Sequence, residues 1–400
     1  MSAERTREDG RPTGRKGPGE GERPTGKERP GKGERPADGS RAGESMGTAD
    51  GSRAGEGKGA ADRERTGGGR RPAGIAGLTA GRAVPRKYVP VLVTAGLFVA
   101  MFAAGGVRYE SFATGQVVLN VFIDNAFLLV VAVGMTFVIL AGGIDLSVGA
   151  VVALSTMISA SLVTNQGWPP LVVIPLVLAV GAALGLAMGC IIHYFEIQPF
   201  IVTLAGMFLA RGLCYVIGTE SISITDETYT ALAQARVELP GGMFVSPSVV
   251  IALAVVLVAA YVLHYTRLGR NVYATGGSEQ SALLMGLPVA RTKITVYTVS
   301  GLCSALGGVL LSFYMLSGYG LHAVGMELDA IAAVVIGGTL LTGGSGYLLG
   351  TVLGVLVLGL IQTIISFEGT LSSWWTKIFI GLLLLAFILL QRLISARRPT

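Results

Sequence analysis

The sequence predicts an all-α integral membrane protein of about ten transmembrane helices, preceded by a disordered N-terminal tail. Three observations carry this. Charged residues are only 14% of the 400 and hydrophobic ones 51%, against about 25% charged in a soluble domain. The charge is confined: residues 1–88 hold 20 of the 31 Lys/Arg and 13 of the 25 Asp/Glu. The rest of the chain falls into apolar runs of the length that crosses a bilayer, about 20 residues.

The tail, residues 1–84, is built from Gly, Arg, Pro, Glu, Ala, Thr and Ser. It lacks the apolar surface needed to offset its chain entropy, so disorder is expected. An extension without function and an initiation site at Met46 or later both fit this composition. GERPTGKE at 21–28 resembles a phosphate-cradling loop, but Glu28 replaces the metal-binding hydroxyl and no strand or helix flanks it. The motif works only in that context. Nor is the tail a cleaved secretory signal, because the first apolar run begins near Val89. The net charge of +6 belongs to residues 1–88, which carry +7, and residues 89–400 carry −1. No nucleic-acid partner is implied.

The body, 85–400, reads as spans near 89–107, 116–141, 147–164, 170–192, 198–218, 246–265, 294–316, 327–343, 346–366 and 373–391. In lipid each segment must satisfy its own backbone, so these runs are helices. Gly343, Gly344 and Gly346 interrupt the eighth and ninth. Arg82, Arg86 and Lys87 precede the first span; Arg267, Arg270, Arg291 and Lys293 lie in or beside the long connection 266–293; Arg392, Arg397 and Arg398 end the chain. The positive-inside rule puts all three on the cytoplasmic side. The connection 219–245, with Glu220, Asp226, Glu227 and Glu238 against Arg236, suits the outer side. Ten spans with both termini cytoplasmic, in the plasma membrane and surrounded by lipid, satisfy every assignment. Trp374, Trp375 and Tyr347 suit the membrane interfaces.

Cys190, Cys214 and Cys303 lie in apolar runs as small hydrophobes, without metal-ligand spacing. No metal or cofactor is expected. His193, His264 and His322 lie near span ends, and no Asp/Glu/His relay of a proton-coupled carrier is present. Arg211 and one of the acids Asp124, Glu327 and Asp329 suit a structural lock or a transport role.

Two interruptions stand out. GGIDLSVG at 142–149 sets Gly142, Gly143, Asp145 and Ser147 between apolar runs. Glycines let the chain break, and Asp145 or Ser147 can cap the next helix. Asp145 is a cap or a group lining a pathway, and both can hold. GGTLLTGGSG at 337–346, with Gly337, Gly338 and Thr342, echoes it. Paired interrupted spans suit an internal repeat with a pathway between, and close helix packing gives the same composition. Asp124 and Asn125, polar within a span, join this candidate pathway. In the 266–293 connection, Ser278 is placed to N-cap a short helix opened by Glu279, which Gly286 ends and Pro288 prevents from continuing. With Ala282, Leu283, Leu284 and Met285 in succession it reads as a docking knob for a cytosolic partner.

GMTFVILAGGIDLSVGA (134–150), LGRNVYATGGSEQSALLMGL (268–287) and ELDAIAAVVIGGTLLTGG (327–344) resemble the permeases of ribose-type ABC importers. The resemblance covers roughly 85–392 and excludes the tail. It implies a type II ABC importer-like permease without enzymatic chemistry. Its coupling loop, Arg270, Glu279, Ser281, Ala282, Gly286 and Leu287, would engage a cytosolic ABC ATPase subunit. A second permease, completing a heterodimer, and an extracytoplasmic sugar-binding protein are the further implied partners. QPFIVTLAGMFLARG (198–212) and FEGTLSSWWTKI (367–378) are similar to permeases of galactofuranose importers. Ribose and galactose are the alternative cargoes. An ion-coupled secondary carrier is the rival of another class, and a membrane receptor without transport is a third.

Overall fold

A computed structural model describes residues 89–369 and 374–396. The expected tail, the region up to Tyr88, and Arg397 and Arg398 lie outside the described residues. Thirteen α-helices order the described chain. They are α1 Val89–Arg108, α2 Gly115–Leu140, α3 Val148–Ala160, α4 Pro170–Tyr194, α5 Pro199–Ile217, α6 Glu227–Gln234 and α7 Pro247–Tyr265. There follow α8 Arg267–Gly277, α9 Glu279–Leu284, α10 Val289–Met315, α11 Met326–Ile336, α12 Leu348–Glu368 and α13 Trp374–Ala396. A π-helical turn, Ser161–Asn165, prolongs α3.

Nine helices among the described residues are long and apolar enough to cross a membrane. The eighth expected span, 327–343, differs: α11 stops at Ile336 after 11 residues. At 1.5 Å per residue it rises only about 16 Å, half a hydrocarbon core. The chain then runs without regular structure to Leu348.

Helices α2, α3, α10 and α12 form the core, while α1, α4, α5, α7 and α13 are apolar yet mostly unburied. That distribution suits lipid, which is as apolar as a leucine side chain and does not drive helices together; close packing must. The α4–α10 crossing shows how. Gly181, Gly185 and Gly189 recur at four-residue spacing on one face of α4. A Cβ on Gly189 would lie 2.9 Å from Ile294 Cα, and one on Gly181 2.6 Å from the Gly301 carbonyl oxygen. The two backbones therefore touch. Thr136 and Thr351 share a buried hydroxyl pair at 2.8 Å across α2 and α12.

The connection 219–245 folds over one end of the bundle. Asp226 N-caps α6, accepting from Thr228 N at 2.9 Å. Strand β1 (Ile222–Ser223) pairs antiparallel with β4 (Ser317–Gly318), which follows α10. The β2–β3 hairpin (Val237–Leu239, Met243–Val245) is tied to the start of α2 by Gln116, which accepts from Phe244 N at 3.0 Å. The α8–α9 segment follows α7 and precedes α10, so it lies at the opposite end. The expected pairing of Arg211 changes: among the described residues it pairs with no acid and donates instead to the Gly320 and His322 carbonyls. Asp329 pairs with Lys377 of α13 at 2.7 Å.

Candidate functional site

The first break begins where α2 ends. Gly142 takes φ +83°, a conformation that side chains disfavour. The chain closes a Schellman turn, with Gly142 N donating to Ile139 O and Gly143 N to Val138 O, each at 2.9 Å. Asp145 follows, fully buried. Its carboxylate accepts from Ser147 N at 2.9 Å, Ser147 Oγ at 2.6 Å and Ser300 Oγ at 2.7 Å. Ser147 is the N-cap residue of α3, but its hydroxyl serves Asp145 and makes no capping bond. Asp145 is thus a brace between the break and α10, facing protein and not an open pathway. A buried carboxylate persists only when so satisfied.

The second break repeats the turn. Gly338 takes φ +92°. Gly338 N donates to Val335 O at 2.9 Å and Thr339 N to Val334 O at 3.2 Å. Each bond is the first break's shifted by 196 positions. The following helix starts ten residues after Gly338 but six after Gly142, so the second connection is longer by four. Thr94 of α1 and Gln391 of α13 donate to the Ile336 and Val335 carbonyls that end α11. Thr94 thereby satisfies an acceptor the helix end leaves open, and Gln391 adds a second bond to the Val335 carbonyl that already accepts from Gly338 N. Gly337 packs against the backbone of Gly350, and Thr342 is exposed.

The breaks meet each other and α8. Gly344 N donates to Leu140 O, the end of α2, at 2.9 Å. A Cβ on Gly343 would lie 2.8 Å from Gly142 Cα and 2.9 Å from Gly276 O. A Cβ on Gly276 would collide with Leu140 O and lie 2.6 Å from Gly344 N. Tyr273 donates its phenol to Gly346 O at 3.0 Å. Three glycine segments on three parts of the chain are therefore in backbone contact, and one of them leads directly into α9.

Helix α9 has the capping predicted from the sequence. Ser278 Oγ accepts from Ser281 N at 3.3 Å, and Gly286 turns the chain at φ +72°. Leu287 N donates back to Ala282 O at 3.0 Å. Ala282 is buried, and Leu283, Leu284 and Met285 are 55%, 90% and 66% exposed. Glu279 pairs with Lys293 of α10 at 2.6 Å. Arg270 lines a cavity of about 480 Å³ that the second break also lines, through Gly344, Ser345 and Gly346. The result is a small apolar knob on a base held by backbone contact and an ion pair.

Asp124 and Asn125 do not join this junction. They sit 16 and 15 residues before the end of α2, about 24 Å along it. Asp124 accepts from Tyr314 at 3.2 Å, and buried Asn125 donates to Val121 O at 2.9 Å beside Gly359. They line a second cavity with Gln362, Thr363 and Ser366 of α12. The sequence reading missed those three and Tyr314. A signal existed, since Gln116, Asn120 and Asp124 recur every four residues on α2, as do Gln362 and Ser366 on α12.

Residues 117–388 match the family described as "Branched-chain amino acid transport system / permease component". The chain belongs to this family. It is 48% identical over 307 residues to the inner membrane ABC transporter permease protein YjfF of Escherichia coli K12, covering 77% of this chain and 93% of YjfF. The fructose import permease protein FruG of Bifidobacterium longum is 41% identical over 322 residues, covering 79% of this chain and 94% of FruG. The ribose import permease protein RbsC of Escherichia coli K12 is 38% identical over 284 residues, covering 70% and 87%. No solved structure matches the chain. The protein is an integral membrane permease subunit of an ABC transporter and not an enzyme.

Proposed function

We propose that this permease forms half of the translocation pathway of an ATP-driven importer for a monosaccharide, galactofuranose in particular. The observation that carries the reading is the backbone junction joining the α9 knob to both helix breaks. A partner that moves α9 moves Gly276, and Gly276 abuts Leu140 and Gly344. A push at the knob thus reaches both interrupted helices without a flexible side chain in between. The similarity to fructose and ribose import permeases supports a simple-sugar cargo. The likeness of 198–212 and 367–378 to galactofuranose permeases supports the narrower choice.

In this reading a cytosolic ABC ATPase seats Leu283, Leu284 and Met285, with Arg270, Glu279, Ser281, Ala282, Gly286 and Leu287 forming the coupling loop. Both termini are then cytoplasmic, and 219–245 faces an extracytoplasmic sugar-binding protein. A second, different permease completes the pore. Nucleotide-driven closure of the ATPase pair switches the pore between two packings. The Gly142–Gly143 and Gly337–Gly338 breaks, with Asp145, Ser147 and Thr342, are where the packing changes. Purifying the chain from native membranes and identifying what accompanies it tests this. An ABC ATPase, a second permease and a sugar-binding protein are expected. Recovery with none of them would refute it. Competition of labelled galactose uptake by ribose and fructose separates a galactose-type cargo, furanose or pyranose, from those two sugars.

A further inference from the structure

The α2–α10–α12 cleft lies at the end of the bundle away from α9. It encloses about 460 Å³, within the range of small-ligand sites. Its walls are unusual for spanning helices. Asp124, Tyr314, Gln362 and Ser366 are exposed, although α2 and α12 are core elements whose other faces are buried. Exposed carboxylate and carboxamide groups do not face lipid, so this face borders water or protein. The hydroxyls of Thr363 and Ser366 donate to their own helix, to Gly359 O and Gln362 O at 2.9 Å. That leaves their lone pairs toward the cleft as acceptors. Asn120 Oδ1 accepts from Gln116 at 2.8 Å. Gln362 has no side-chain partner among the described residues. The aromatic rings of Phe127 and Phe367 complete the lining.

We infer that this cleft is the point of contact for the transported sugar on this subunit. It takes a neutral, polyhydroxylated ring, its hydroxyls against Gln362, Asp124 and Asn120 and its apolar face against Phe127 or Phe367. Such a ring needs donors and acceptors together, which one carboxamide supplies. A bare cation fits less well: Asp124 already accepts from Tyr314, and no cluster of three His, Cys, Asp or Glu exists among the described residues. The inference rests on the proposed importer function and adds the contacts on this subunit.

The test uses the full transporter in cells, with labelled galactose as probe. Gln362→Leu keeps the volume and removes the hydrogen bonds; Gln362→Trp fills the cleft. Both should reach the membrane at normal levels and retain the ATPase subunit. Uptake should fall roughly fivefold for the leucine variant, what one neutral hydrogen bond is worth, and vanish for the tryptophan one. In Gln362→Cys, a membrane-impermeant maleimide should label the new thiol, and galactose should slow that labelling. Full uptake in both variants, or labelling that galactose does not slow, overturns the cleft as the contact site. Absence of galactose uptake by the unsubstituted transporter would instead sink the cargo reading itself.

Discussion

Gly276 and Gly277 are neighbours at the end of α8, yet the structure gives them opposite sensitivities. A Cβ at Gly276 meets Leu140 O and Gly344 N, both backbone atoms that cannot rotate away. A Cβ at Gly277 meets nothing within 4 Å. Gly276→Ala must push α8 from the breaks, an overpacking cost of about 1–3 kcal/mol. It also stretches the 2.9 Å bond from Gly344 N to Leu140 O, worth about 0.5–1.5 kcal/mol. The total is about 1.5–4.5 kcal/mol, enough to shift a two-packing equilibrium by one to three orders of magnitude. Gly277→Ala should be neutral, or stabilising by a few tenths of a kcal/mol through lost chain entropy. The assay is paired: thermal unfolding of each variant in detergent, and sugar uptake per ATP hydrolysed in proteoliposomes. Gly276→Ala should unfold earlier or hydrolyse ATP without matching uptake, and Gly277→Ala should do neither. Equal behaviour of the two variants would refute the junction as the link between knob and breaks.

Asp145→Ala strips partners from Ser147 and Ser300, at about 1–3 kcal/mol per buried group. Its membrane level should drop well below that of Asp145→Asn, which keeps an acceptor; equal levels would remove the brace. Leu284→Asp, at the most exposed knob position, should leave the fold intact and abolish ATPase retention in pull-downs, and normal retention would move the docking site elsewhere. His322, in the α10–α11 connection, is held below its ordinary 6.5 by burial and by the nearby Arg211 guanidinium. The folded protein keeps it neutral while the unfolded chain gains a proton as pH falls below about 6.5. Stability should therefore decline on acidification through that value, and His322→Asn should lessen the decline; an unchanged slope would show that His322 does not contribute.

Long apolar runs made the nine long helices legible, because a membrane leaves the backbone few alternatives. The knob was legible too, since Ser278, Gly286 and Pro288 act through local capping chemistry. The eighth span was not. Leu340 and Leu341 continue the hydropathy of α11, while the positive φ at Gly338 turns the chain away, and hydropathy averaging is blind to a single dihedral angle. Asp145 was legible only as an alternative, because its third partner, Ser300, lies 155 residues away. The same holds for the cleft. The four-residue spacing of Asn120 with Asp124 and of Gln362 with Ser366 is visible, but its meaning depends on α2 and α12 lying side by side.

In the proposed mechanism a push from an ATPase at α9 opens a sugar pathway. Proteoliposomes holding the complete transporter, with ATP inside or absent and an ion gradient present or collapsed, test it directly. Labelled galactose should accumulate only with ATP and the sugar-binding protein, and an ionophore should leave accumulation unchanged. Accumulation driven by an ion gradient without ATP would contradict ATP-driven import and establish a secondary carrier.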